Sequence, residues 1–186
     1  MLNLLRKTLE EAAVIKKADY YYFVSPLSDG IPQIEPALVN EVVEAVCELA
    51  DLQCDKIVTV EAMGIPIGMA LSLRTGIPLT VVRKRSYGLP GEVACEQVTG
   101  YSRGALYVNG IQKGERVLVI DDVLSTGGTL ISVIGGLRSA GAIVKDVVVL
   151  IEKSALSKKR VEEAAGLPIK SLIRVRMEGG RVVVSD

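Results

Sequence analysis

Apolar positions fall into two rhythms along the chain. Leu2, Leu5, Leu9, Ala12 and Ala13 recur at helical spacing, which predicts a helix over residues 2–18 with a charged outer face. Tyr20-Tyr21-Tyr22-Phe23-Val24 is a short β-rich run, and Ser25 to Pro32 is loop chemistry. Pro36 suits the first turn of a helix reaching about Ala50. From there the pattern alternates. Ile57–Val60 reads as a strand, Gly64–Arg74 as a helix and Leu79–Val82 as a strand. Residues 84–103 are rich in Gly and polar residues, too long for an ordinary connection, and read as a lid. Val117–Ile120 is a continuous apolar strand, followed by a helix at about 128–140. Val144–Ile151 is the longest β-branched run; a helix at about 157–165 and strands near 171–176 and 181–184 complete the chain. Short apolar strands alternating with helices predict an α/β fold with a parallel sheet covered on both faces. Ligands of such sheets sit beyond the carboxyl ends of the strands.

Composition narrows the chemistry. The chain has 186 residues, so one domain over 1–186 is expected, with a core large enough to need no staple. It contains no His, which removes Ser-His-Asp and Cys-His catalysis and His-ligated metals. Twenty-two basic residues balance 22 acidic ones, which argues against a nucleic-acid or membrane-surface partner. Three cysteines without a CxxC pair fit free thiols in a reducing compartment. No apolar run reaches about 18 residues, and the N-terminus lacks the parts of a signal peptide, so a cytoplasmic location is expected.

The most informative stretch is Val117-Leu118-Val119-Ile120-Asp121-Asp122-Val123-Leu124-Ser125-Thr126-Gly127-Gly128-Thr129-Leu130. A buried-type strand ends in two carboxylates, then a Ser/Thr/Gly loop opens a helix. Two glycines let an anion approach the backbone. Amides at a helix start point at that anion, and the helix dipole favours its charge. Ser125, Thr126 and Thr129 add hydroxyls. The loop alone is equally an ordinary capped turn. Paired acids at a strand's end are costly without a ligand, and Asp121 and Asp122 can accept from sugar hydroxyls or hold hydrated Mg²⁺. No Walker loop or GxGxxG fingerprint occurs.

This string resembles the phosphoribosyl-pyrophosphate-binding motif of the type I phosphoribosyltransferases. Val60-Glu61-Ala62-Met63-Gly64-Ile65-Pro66-Ile67-Gly68 and Arg83-Lys84-Arg85-Ser86-Tyr87-Gly88-Leu89-Pro90-Gly91 resemble segments of the adenine enzymes; Val149-Leu150-Ile151-Glu152-Lys153-Ser154 and Leu167-Pro168-Ile169-Lys170-Ser171-Leu172 resemble the xanthine enzymes. The likeness covers about residues 57–176 and points to the purine branch, the archaeal hypoxanthine/guanine members included.

The resemblance implies a central, mostly parallel sheet flanked by helices, a small hood from about 20–35 and the C-terminal strands, and a flexible lid at about 84–103. It implies that Ser125, Thr126, Gly127, Gly128 and Thr129 bind the 5′-phosphate and that Asp121 and Asp122 sit by the ribose, near Mg²⁺ bound indirectly. Glu61, Ala62, Met63 and Gly64 would form the pyrophosphate loop, with Arg83 and Lys84 also on pyrophosphate in a homodimer. Phe23 or Val24 would stack on the purine and Tyr101 would cover the ribose. The Glu that precedes this Tyr in adenine enzymes is absent, Gly100 standing there.

Lys153 is expected to read the base, because an ammonium only donates and suits a 6-carbonyl rather than the amino group of adenine. A surface lysine paired with Glu152, or set beside the basic run 158–160, is the alternative. The implied reaction joins hypoxanthine or guanine to phosphoribosyl pyrophosphate, giving IMP or GMP and pyrophosphate. Adenine or xanthine as substrate, a purine-sensing regulator, and a protein that binds without turnover stay open.

Overall fold

The computed structural model describes residues 2–17, 20–98 and 103–185. Six strands form the central sheet: β3 (Lys56–Val60), β4 (Leu79–Val82), β7 (Arg116–Leu124), β8 (Ile143–Glu152), β9 (Lys170–Glu178) and β10 (Arg181–Ser185). Their order is β10-β9-β8-β7-β3-β4, parallel except for β10, which runs antiparallel to β9. The C-terminal strands expected in the hood therefore extend the main sheet.

Successive residues of each strand face opposite layers. Ile57, Leu118, Ile120, Val148 and Leu150 pack toward α3 (Pro36–Leu49) and α4 (Gly64–Thr75), with Val42, Val46 and Leu71. Val58, Val60, Val117, Val119 and Val147 pack toward α5 (Gly128–Ser139) and α6 (Ala155–Ala165), with Leu130, Val133 and Val161. Burial on both faces explains why these strands read as unbroken apolar runs.

Two expectations change. The N-terminal helix, α1, spans only Asn3–Glu10. Ala13–Lys17 is instead strand β1, antiparallel to β2 (Tyr20–Val24), with Val14 opposite Phe23 and Ile15 opposite Tyr22. β-Branched Val14 and Ile15 gain more from these cross-strand partners than from another helical turn. A one-turn helix, α2 (Pro26–Asp29), follows; Ser25 Oγ accepts from Ser28 N and Gly30 closes it at φ 72°.

The second change concerns 84–103. Val93–Val98 (β5) and Arg103–Val108 (β6) form an antiparallel hairpin. Leu106 and Val108 are fully buried against the α5 layer, and the backbone of Tyr107 bridges that of Arg83 beyond β4. The strand Val93–Val98 was masked by the polar and glycine content of the segment, and its partner strand lies almost wholly beyond residue 103. The Ser86–Glu92 connection is also organised: the Glu92 carboxylate accepts from Ser86 Oγ, Tyr87 N and Asn109 Nδ2. The Ser86 bond, with those from Tyr87 and Asn109, holds the Glu92 pKa down at about 2. Among the described residues no helix is long and apolar enough to cross a membrane. Cys47, Cys54 and Cys95 form no disulfide.

Candidate active site

The carboxyl ends of β3, β7 and β8 meet at a cavity of about 260 Å³. Glu61 and Ala62 line it from the end of β3, Lys84 from beyond β4, Asp121 and Asp122 from β7, Ser125 and Thr129 from the loop into α5, and Lys153 from the end of β8. Phe23 closes it from β2. Five separate stretches of sequence thus converge on one volume.

The acids are carried inside β7 because its pairing with β8 continues to Leu124–Glu152. Asp121 is 7% exposed, and its Oδ1 accepts from Asp122 N at 3.1 Å. Burial, then the charge of Asp122, pushes the Asp121 pKa well above the usual carboxylate range, with Lys84 pulling the other way. Burial also raises Asp122. Such a pair favours an incoming cation or a set of hydroxyl donors.

After Leu124 the chain turns through Gly127, at φ 78°, into α5. That positive φ favours glycine, and a Cβ there would lie 2.4 Å from Val161 Cγ2. Among the described residues no side chain caps the start of α5. Its first amides face the loop's mouth, as an anion site requires. Thr126, Gly127 and Gly128 supply backbone behind Ser125 and Thr129 and do not line the cavity themselves. Arg160 of α6 donates to the Thr126 carbonyl and braces the loop from outside.

At the β3 end the Glu61–Ala62 peptide is cis. Gly64 begins α4 with no room for a side chain: a Cβ would meet Thr59 Oγ1 at 2.1 Å and Asp121 Oδ1 at 3.3 Å. This close approach sets the 61–64 turn against the acid pair. Met63 and Gly64 lie behind the lining. The Glu61 side chain holds the basic segment, pairing with Arg83 and accepting from Lys84 N at 3.0 Å. Arg83 is thereby turned away from the cavity lining, while Lys84 enters the cavity of its own chain.

Lys153 Nζ stands 4.6 Å from the Phe23 ring centroid and 5.5 Å from that of Tyr22. Its backbone N donates to Leu124 O at 2.9 Å, tying the end of β8 to the residue before the Ser125–Thr129 loop. Glu152, the other partner the sequence offered it, is fully buried and satisfied elsewhere: Ser171 Oγ at 2.7 Å, Arg174 Nε at 2.9 Å and Lys158 Nζ at 3.2 Å. Burial raises the Glu152 pKa, but these donors outweigh it and the net shift is downward. Strand alternation sends Glu152 to β9 and Lys153 to the cavity.

Val24, the last residue of β2, does not line the cavity, although its neighbours Tyr22 and Phe23 do. Tyr101 lies outside the described residues. Tyr22, Ser28, Val60 and Val123 line the cavity without having been singled out. Ser28 had a local signal: Ser25-Pro26-Leu27-Ser28-Asp29-Gly30 carries a cap residue, a first-turn proline and a closing glycine.

A family model described as the phosphoribosyl transferase domain matches residues 33–170. The chain belongs to the phosphoribosyltransferase family. It is 53% identical over 182 residues to a protein of Methanothrix thermoacetophila named hypoxanthine/guanine phosphoribosyltransferase, covering 98% of this chain and 95% of that one. A protein of the same name from Methanohalobium evestigatum is 51% identical over 186 residues, 100% of this chain and 97% of the other. Among solved structures, the adenine phosphoribosyltransferase of Thermoanaerobacter pseudethanolicus superposes with a TM-score of 0.76 at 24% identity, covering 94% of this chain and 99% of that one. At that identity the likeness speaks to fold alone. The fold is the type I phosphoribosyltransferase fold, with its mostly parallel sheet and flanking helices.

Proposed function

We propose that this phosphoribosyltransferase converts hypoxanthine or guanine and phosphoribosyl pyrophosphate to IMP or GMP and pyrophosphate. The observation that carries the reading is Lys153, a pure donor on the wall of the same cavity as Asp121, Asp122, Ser125 and Thr129. The name shared by its relatives at about half identity supports it.

In this reading the 5′-phosphate rests on the Ser125–Thr129 loop and the α5 amides, and the ribose hydroxyls donate to Asp121 and Asp122. Pyrophosphate lies along 61–64 beside Lys84. Among the described residues no three carboxylate or thiol groups cluster as a metal site. Two buried acids with raised pKa values, Asp121 and Asp122, are the groups that would hold a divalent cation arriving with the substrate. Mg²⁺ there would supply neutralisation of charge on the pyrophosphate. The chain's own part is alignment and exclusion of water. Phosphate loop and acid pair hold C1 of the ribose, Phe23 and Lys153 hold the base in line with it, and the bond to pyrophosphate breaks as the base nitrogen attacks and gives up its N–H proton to water or to the departing pyrophosphate.

A homodimer is part of the proposal, supported by exposed apolar Met69 and Leu73 on α4 (49% and 80% exposed); sedimentation at micromolar concentration tests it. Pyrophosphate release with adenine, hypoxanthine, guanine and xanthine in turn tests the function. Turnover with hypoxanthine and guanine is expected, and adenine as the sole productive base overturns the reading.

A further inference from the structure

Two residues that line the cavity, Tyr22 and Ser28, carry hydroxyls whose hydrogen-bond direction is set by a residue behind them. Asp29, the last residue of α2, accepts from Tyr22 Oη at 2.8 Å, from Ser28 Oγ at 2.6 Å and from Ser25 N at 3.1 Å. A hydroxyl has a single proton, and Tyr22 and Ser28 both direct theirs to Asp29. Ser25 Oγ lies 2.8 Å from Ser28 Oγ. Since the Ser28 proton is committed, Ser25 is the donor in that pair. Ser25 Oγ in turn accepts from Ser28 N at 3.2 Å. Ser25 is fully buried, so water does not rearrange this end of the network. Toward a ligand, Tyr22 Oη and Ser28 Oγ can therefore only accept, whereas Lys153 on the same cavity can only donate.

We propose that Asp29 sets the hydrogen-bond polarity of the purine subsite and so selects bases that carry N–H donors beside a 6-carbonyl. The proposal rests on the purine reading above and ranks substrates that the reading leaves equal. Guanine presents a carbonyl at position 6, then N1–H and a 2-amino group, one acceptor followed by donors. Hypoxanthine keeps the carbonyl and N1–H. Xanthine replaces the 2-amino group with a second carbonyl, which sets acceptor against acceptor in a desolvated site. Adenine is mismatched twice, with a 6-amino group against the ammonium and an unprotonated N1 against the hydroxyl oxygens. Asp29 does not line the cavity; it is a positioning residue acting through Tyr22 and Ser28.

Steady-state kinetics of Asp29→Asn and Tyr22→Phe with guanine, hypoxanthine and xanthine test this. In Asp29→Asn the amide nitrogen donates to a hydroxyl that formerly donated, which turns that hydroxyl's proton toward the base. The guanine-over-xanthine ratio of kcat/KM is expected to fall by roughly tenfold or more, with the KM for phosphoribosyl pyrophosphate unchanged. A general loss of structure would move every substrate together and leave the ratio alone. Tyr22→Phe keeps the ring and removes one acceptor. It should lower the guanine-over-hypoxanthine preference by a few fold, and it decides the matter if Asp29→Asn does not fold. Unchanged ratios in the folded variants, or a wild-type enzyme preferring xanthine to guanine, overturn the polarity proposal. Wild-type activity with adenine alone overturns the function reading itself, a distinguishable result.

Discussion

The two ends of the cavity, to which the proposal assigns phosphate and purine, are assembled in opposite ways. The phosphate loop is five consecutive residues, Ser125 to Thr129, delivered by one strand to the start of one helix. Much of its chemistry is backbone, and its shape depends on Gly127 at positive φ against Val161. The purine end draws Tyr22 and Phe23 from the β1–β2 hairpin, Ser28 from α2 and Lys153 from β8, more than 120 residues further on. Its chemistry is carried by side chains, and Asp29, which does not line the cavity, accepts from the hydroxyls of Tyr22 and Ser28. A local backbone device serves every substrate that carries the same phosphate. A set of side chains gathered from distant segments can be changed one residue at a time, which suits the part of the site that chooses a base.

This contrast can be broken or sharpened by substitution. The largest effect is expected at the junction of the two ends. Asp122→Ala should lower kcat by about 10²–10³-fold with every purine, the order found when a group stabilising transition-state charge is removed; near wild-type pyrophosphate release would sink the assignment. Gly127→Val comes next. A β-branched residue at φ 78° with its Cβ 2.4 Å from Val161 should cost about 3 kcal/mol of stability, read by urea denaturation, and should raise the KM for phosphoribosyl pyrophosphate rather than that for the base. Lys153→Ala should do the reverse. It is expected to lower kcat/KM for hypoxanthine by about 1–3 kcal/mol, the range of a lost charged hydrogen bond, with the phosphoribosyl pyrophosphate KM unmoved. Equal changes in both KM values would erase the distinction between the ends.

The smallest effect is on stability. Burial and Asp122 raise the Asp121 pKa, so the folded protein holds that proton more tightly than the unfolded chain does. The stability this contributes is present below the unfolded pKa of about 3.9 and is lost as pH rises through the folded value. Asp121→Asn escapes that loss. The ligand-free variant should melt ~2–4 °C above the wild type at pH 7, with the gain vanishing toward pH 4. A gain that persists in acid would contradict the sign.

Legibility in the sequence followed the same division. The string 117–130 displayed the strand, the acids, the loop and the helix start in order, because every part of that device is local. The central strands β3, β7 and β8 were visible as apolar runs because both faces of the sheet are covered there. The helix expected through residue 18 ended at Glu10 because the cross-strand pairing of Val14 and Ile15 with Phe23 and Tyr22 is a tertiary fact. Within the segment 84–103, Val93–Val98 is a strand because it pairs with Arg103–Val108, whose Leu106 and Val108 are buried against α5. Lys153 could be chosen as a base reader from its place after β8, but its alternative partner Glu152 was removed only by Ser171, Arg174 and Lys158.

By itself, then, the sequence determined the Ser125–Thr129 loop at a helix start, the acid pair and the alternating α/β plan, since each depends on residue order and short-range periodicity. Tertiary structure decided which face of the β1–β2 hairpin meets the cavity, which cation enters it and which turns to Glu61, and the direction in which Tyr22 and Ser28 can hydrogen-bond. Those outcomes depend on groups far apart in the chain meeting at one cavity, where a single carboxylate such as Asp29 accepts from both Tyr22 and Ser28.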